Sequence, residues 1–289
     1  MTFDPGMPLL EHLAAELPSL RRSEKKVAEL VASDPGFIVQ GTMASVAEAA
    51  GVSEPTVMRF CTALGYDGFN QFRLALAQSV ALGLPATLST VSANDSIAVM
   101  ASKVFDHSIS SLDRARRYLD AAQIERAVDA ILGARSLILT GLGASGIIAQ
   151  DAAQKAPLFG VPCVVPTDPH QALMTVAVAD PDDVLLAISN TGTTSSVIEI
   201  VDAAQAAGAT VIGLTGADDS PLAQRVDIAL VARTFEDTDM YTPTVSRIAA
   251  LVIVDVLGTA VALRRGERHA ERLSSMKEQL VTFRRRSAE

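Results

Sequence analysis

Apolar residues recur at three-to-four spacing through the first part of the chain, at Leu9, Leu13 and Leu17 and again at Val27, Leu30 and Val31. That spacing predicts helices over residues 1–80 and no run of strands. From about 81 to 94 the chain turns to small and polar residues around Gly83 and Pro85, a composition that reads as a linker. Helical spacing returns at Ile97, Met100, Val104 and Ile109, with Asn94 and Asp95 placed to cap the helix. From Leu137 the period changes. The runs LILTG, VPCVV, VLLAIS, TVIGLT and DIALV are each followed by turn residues and mostly by a helical stretch, the alternation of βαβ units. Because these runs are continuously apolar, they predict a parallel sheet covered by helices on both faces. Two helices close the chain, near 244–264 and 267–284. The first is apolar almost all round and is expected to be buried, in the core or in a subunit interface. The predicted architecture is an all-α N-terminal domain over 1–80, a linker over 81–94, and an α/β domain with a helix-flanked parallel sheet over 95–289.

Composition narrows the functional classes. At 289 residues the chain exceeds the usual single-domain size, and each half is long enough to bury its own core. Aromatics are 4% and tryptophan is absent, so alanine and valine must fill the interior. A net charge of -9 excludes coating of nucleic acid or acidic membrane by bulk attraction. Any DNA contact must be local. Cys61 and Cys163 lack CxxC spacing and histidine neighbours, so neither a metal site, a cofactor nor a disulfide framework is expected, and a reducing cytoplasm fits. The start MTFDPGMPLL has no basic region ahead of an apolar core, and the apolar run from Ile248 to Leu263 is interrupted by Asp255. No secretory leader and no membrane partner are expected.

The segment MASVAEAAGVSEPTVMRFCTALGYDGF has the order of a helix-turn-helix. Val46, Ala47, Ala49 and Ala50 form a short helix and Gly51 the turn. Ser53 then supplies an N-cap, Pro55 fits the first turn, and Val57, Phe60 and Leu64 form the buried stripe. This leaves Thr56, Met58, Arg59 and Thr62 outward. Short polar side chains backed by an arginine suit major-groove entry with phosphate contacts, which makes Ser53, Thr56 and Arg59 the candidate DNA-contacting residues. The same periodicity also fits a plain helical bundle. Residues 1–80 carry six Lys or Arg against nine Asp or Glu, so nonspecific affinity is expected to be weak. Arg21, Arg22, Lys25 and Lys26 are grouped to hold one backbone segment.

Two loops carry candidate ligand chemistry. After LILT comes Gly141-Leu-Gly143-Ala-Ser145-Gly146, where glycines let a phosphate approach the backbone and Ser145 adds a hydroxyl. After VLLAI comes Ser189-Asn-Thr191-Gly192-Thr-Thr194-Ser195-Ser196, dense in hydroxyls. Placed beyond the carboxyl ends of parallel strands, both would offer helix N-termini to an anion. The first loop also spells GxGxxG, the dinucleotide pattern, but VPCVV is followed by Pro166 and Thr167 before Asp168 rather than by a ribose-binding acid. Either loop alone is also explained as a tight turn with a capped helix. Asp168 and His170 face a ligand or form a turn. The segment Glu236-Asp237-Thr238-Asp239, with Tyr241 and Thr242, closes over a ligand or stays solvated. Arg247, near the start of an apolar helix, needs an anionic partner. His12, His107 and His269 lack metal or catalytic spacing. For an aldose-ketose isomerase, Glu199 and His170 are the available acid-base groups, but neither lies in a catalytic motif.

LRRSEKKVAELVASDP, GVSEPTVMRFCTALGYDGF, GLGASGIIAQDAAQK, AISNTGTTSSVIE and LTGADDSPLA together resemble the RpiR family of regulators, which join a helix-turn-helix to a sugar isomerase (SIS) domain. LFGVPCV, DPHQALM and EDTDMYTPTVSRIAALVIVDVLGTAVALRRG further resemble its HexR branch, regulators of hexose catabolism that respond to 2-keto-3-deoxy-6-phosphogluconate. The resemblance implies a non-enzymatic regulator, a repressor acting as a homodimer or higher oligomer on double-stranded operator DNA. It places phosphate or sugar-acid contact on Ser145 and Ser189, with Thr191 and Thr194 completing the second loop, and DNA contact on Ser53, Thr56 and Arg59. Two departures stand out: Thr62 replaces an arginine common among relatives, and Thr191 replaces a serine.

Overall fold

The structure, a computed structural model, describes residues 16–81, 95–236 and 244–286 together with Leu9 and Leu13. Most of the predicted linker and the segment from Asp237 to Pro243 lie outside the described residues, so the expectations placed on Asp237, Asp239, Tyr241 and Thr242 do too. The chain divides into two compact units, Met1–Asp113 and Arg114–Glu289.

The first unit contains α1 (Arg22–Ser33), α2 (Pro35–Gln40), α3 (Met43–Ala49), α4 (Glu54–Ala63) and α5 (Phe69–Ala81). Short polar side chains set the starts of these helices. Asp34 accepts the Phe37 amide at 2.9 Å ahead of Pro35, and Thr42 and Ser45 bond each other's backbone amides at 3.2 and 3.0 Å, each cap contributing about 1 kcal/mol. The apolar stripes then meet in one core, where Phe72 packs edge-on against Phe60 and Tyr66 at ring distances of 5.4 and 5.6 Å.

A long helix, α6 (Ile97–Tyr118), runs through the division between the units. Its helical pattern was expected to reach Leu112. It continues to Tyr118 because no breaker intervenes before Asp120, whose carboxylate caps the next helix at 2.8 Å from the Ala122 amide.

The second unit alternates α7 (Ala121–Gly133), β1 (Ser136–Gly141), α8 (Ala144–Gln154), the single turn α9 (Ala156–Phe159), β2 (Cys163–Val164), α10 (Pro169–Val176), β3 (Asp183–Ile188), α11 (Ser195–Ala206), β4 (Thr210–Thr215), α12 (Pro221–Arg225) and β5 (Ile228–Val231). It ends with α13 (Val245–Arg264) and α14 (Glu267–Arg286). All strand pairs are parallel, in the order β2-β1-β3-β4-β5. β3 is buried over its whole length, as a continuously apolar central strand requires. The run VPCVV shrinks to Cys163–Val164, because Pro162 and Pro166 bracket it and proline donates nothing to a ladder.

Helix α13 packs against α7, α8 and α9. It is long and apolar enough to cross a membrane, yet half of it is buried within the fold. Within the chain its burial is one-sided: Ala249, Ile253, Leu257 and Val261 face the core, whereas Ile248, Val252 and Val256 stay 37–45% exposed. One helix contacts one layer of neighbours, so its far side stays open.

Candidate effector cleft and DNA-reading helix

The sheet order reverses between β1 and β3, since β2 lies on one side of β1 and the later strands follow on the other. The loops leaving their carboxyl ends part there, and such switch points form ligand crevices in open α/β sheets. The two loops singled out in the sequence are those loops.

After β1 the chain turns so tightly that a Cβ on Gly141 would lie 2.7 Å from the Ser145 backbone, and the N-cap Gly143 takes φ 55°. GxGxxG thus serves a close β1–α8 turn. The acid that a dinucleotide site needs is missing after β2, and the nearest, Asp168, is occupied capping α10 at the Gln171 amide, 2.9 Å away. His170 is exposed beside it, so this segment is the turn that the sequence left open as an alternative.

After β3 the loop folds on itself. Ser189 is 4% exposed. Its Oγ accepts the Gly192 amide at 3.2 Å and shares a hydrogen bond with Thr194 Oγ1 at 3.3 Å. Thr191 is exposed, its Oγ1 bonded to Thr193. Gly192 has φ 64°, and a Cβ there would come within 2.5 Å of Ser220 Oγ.

Helix starts sort these elements further. Asp120, Asp168 and Ser220 cap α7, α10 and α12. In contrast, α8 and α11 begin at Gly143 and Thr194 with no side chain on their first amides. The Ser145, Gly146 and Val197 amides donate to the preceding Leu142, Gly143 and Thr194 carbonyls, and helix N-termini without a side-chain cap attract an anion through their remaining amides and dipoles.

A narrow cleft with a cavity volume of about 20 Å³ opens at the start of α8, lined by Ala144, Ser145, Ile148, Ile188, Asn190, Leu214, Thr215, Ala232, Ser246, Arg247 and Ala250. Of the candidate ligand residues, Ser145 and Arg247 line its wall. Gly143 begins the helix that carries Ser145, and Ser189, Thr191, Gly192 and Thr194 build the loop that carries Asn190. Asn190, Thr215 and Ser246 were missed. Asn190 lay inside a loop already marked by its hydroxyls, whereas nothing local marks Thr215 at the end of a strand.

Glu236 closes the start of α13. Its carboxylate accepts the Ser246 amide at 2.7 Å and the Thr244 amide at 3.0 Å. Burial would raise its pKa, but the Ser246 and Thr244 amides outweigh that and hold it below the ordinary value. Glu236 is thus a helix cap.

The helix-turn-helix takes the expected form. Gly51, at φ 62°, ends α3 with its amide on Glu48 O and the Val52 amide on Ala47 O, a Schellman turn. Ser53 is the N-cap of α4 by position, but its hydroxyl contacts Thr56 Oγ1 at 3.0 Å rather than a backbone amide. Thr56 corrects the sequence reading: expected outward, it is 5% exposed. The helix that carries it packs against α1. Arg59 Nη2 donates to Thr56 Oγ1 at 2.8 Å, while its Nε lies 3.9 Å from Glu24 on α1. The outward surface of α4 comprises Glu54, Pro55, Met58, Arg59, Thr62 and Ala63.

Residues 7–83 match the helix-turn-helix domain of the rpiR family, and residues 130–260 match the SIS domain. The chain belongs to the RpiR family. It is 39% identical over 274 residues to the HTH-type transcriptional regulator HexR of Escherichia coli (strain K12), spanning 95% of this chain and 94% of that one. It is 40% identical over 276 residues to HexR of Pseudomonas aeruginosa, covering 96% of each. In fold it is similar to the Vibrio vulnificus NanR protein, solved as a complex with ManNAc-6P, at a TM-score of 0.60 and 24% identity over 95% of this chain and 98% of that one. The regulator is therefore a DNA-binding transcription factor of the HexR type, with α3 and α4 in its helix-turn-helix domain and the cleft in its SIS domain.

Proposed function

We propose that the regulator represses genes of sugar catabolism and leaves its operator when a phosphorylated sugar or sugar acid, such as 2-keto-3-deoxy-6-phosphogluconate, enters the cleft. The supporting observation is the pair of uncapped helix N-termini, α8 and α11, at the sheet's switch point. The phosphate sits on those amides, with the Ser145 hydroxyl donating from the wall. Ser189, Thr191, Gly192 and Thr194 hold the second loop in register. Arg59 and the exposed Ser53 carry the DNA contacts, with the buried Thr56 hydroxyl holding the Arg59 guanidinium. The regulator acts in the cytoplasm as a homodimer, for which the exposed Ile248, Val252 and Val256 offer a contact strip. Effector release requires different ligand affinities in the two arrangements of the paired reading heads. We read it as a non-enzyme because Glu199 and His170, the available acid-base groups, are exposed and absent from the cleft wall.

The test is operator binding by the Ser145→Ala, Ser189→Ala double variant. It is expected to bind operator as the parent does and to resist release by effector. Normal release would defeat the assignment of the cleft.

A further inference from the structure

The cleft contains a second set of polar groups, contributed by the first turn of α13. Ser246 is 3% exposed, and its Oγ makes no hydrogen bond within 3.5 Å although it lies toward the Glu236 carboxylate. Arg247 is half-buried beside it and makes no hydrogen bond or ion pair with a described residue. Glu236 makes no ion pair with Arg247; its carboxylate accepts the Thr244 and Ser246 amides. Around these groups the wall is largely apolar, with Ile148, Ile188, Leu214 and Ala250. A buried hydroxyl without a close acceptor and a half-buried guanidinium without an ion pair are both unfavourable against such a wall, and both are relieved by one anion. The guanidinium fork matches a carboxylate in two parallel hydrogen bonds, with a hydroxyl donating to the same group.

We propose that Ser246 and Arg247 form a second anion station in the cleft, distinct from the α8 and α11 amides, that reads a carboxylate on the effector. The inference rests on the cleft being the effector site, as proposed above. Its consequence is selectivity. A sugar phosphate without a carboxylate leaves Ser246 and Arg247 unpaired in the complex. A phosphorylated acid of the same carbon length satisfies both stations, and sites built around polar partners discriminate strongly against ligands that lack them.

The experiment titrates 6-phosphogluconate and glucose 6-phosphate into the full-length regulator by calorimetry, alongside Arg247→Met, Arg247→Lys, Ser246→Ala and the Ser145→Ala, Ser189→Ala double variant. The parent is expected to prefer the acid by about tenfold or more, the scale of one desolvated charge-assisted contact. Arg247→Met should abolish the preference by weakening the acid alone, leaving glucose 6-phosphate within about twofold. Arg247→Lys, which keeps the charge without the fork, should recover part of it, and Ser246→Ala should fall between. The double variant should weaken both ligands together, so a failure of the phosphate station reads separately from a failure of the carboxylate station. Equal weakening of both ligands by Arg247→Met would put Arg247 on the phosphate and overturn the proposal. A parent without acid preference would overturn it as well.

Discussion

Gly192 and Gly51 share a left-handed backbone but differ in surroundings, which makes them a paired test of how the second loop is held. At Gly51, φ is 62° and nothing lies within 4 Å of an added Cβ. Gly51→Ala therefore carries only the left-handed penalty, roughly 1 kcal/mol. At Gly192, φ is 64° and the added Cβ would meet Ser220 Oγ at 2.5 Å, Ser220 Cβ at 2.6 Å and Thr215 Oγ1 at 2.8 Å. Relief requires moving Ser220. That motion breaks its hydrogen bond with Thr215 Oγ1 at 3.2 Å and its cap on the Ala223 amide at 3.2 Å. Each is worth about 1 kcal/mol, so Gly192→Ala should cost on the order of 3 kcal/mol in total. At a few degrees per kcal/mol for a domain of this size, the SIS transition should fall by about 6–12 °C. Thermal unfolding followed by circular dichroism, with Gly51→Ala as the reference, measures the difference. A Gly192→Ala variant no less stable than Gly51→Ala would refute the claim that Ser220 and Thr215 clamp this loop.

Asp183, buried at the start of β3, accepts Ser136 Oγ at 2.7 Å and the Asp180 amide at 3.1 Å, and pairs with Arg135. Burial raises its pKa, but these partners, Arg135 foremost, outweigh it and hold the carboxyl below its ordinary value. Stability from Asp183 is therefore fully present above the unfolded carboxyl's pKa and lost as pH falls through the lower folded value. Asp183→Asn should be less stable at pH 7 by roughly 1–2 kcal/mol from the weakened Ser136 and Asp180 bonds. Its deficit in chemical denaturation should narrow below about pH 4; a constant deficit down to pH 2 would exclude the linkage. Burial pushes the Cys61 and Cys163 thiols up to about 12 and about 11. Both should resist a thiol-reactive chromophore at pH 8 in the folded protein and react when it is unfolded in denaturant. Rapid native labelling of Cys61 would contradict its place in the core.

Several features were legible from local pattern alone, because each depends on neighbours within a few residues. The change of period at Leu137 separated helices from strands, the Ser53-Glu-Pro55 start positioned α4, and the glycines of Gly141 to Gly146 marked a tight strand-to-helix turn. The continuously apolar runs announced a parallel sheet covered on both faces. Other features were set only when distant segments met. Thr56 is buried in a helix that packs against α1, which brings Glu24 to Arg59, and no periodicity within α4 contains that packing. Ser189 was singled out for its hydroxyl, and only the folded loop shows that its oxygen also accepts the Gly192 amide. The cleft gathers Ser145, Asn190, Thr215, Ser246 and Arg247 because the strand order reverses at β1. Strand order reflects how helices pack over the sheet, and the alternation of apolar and polar residues does not record it.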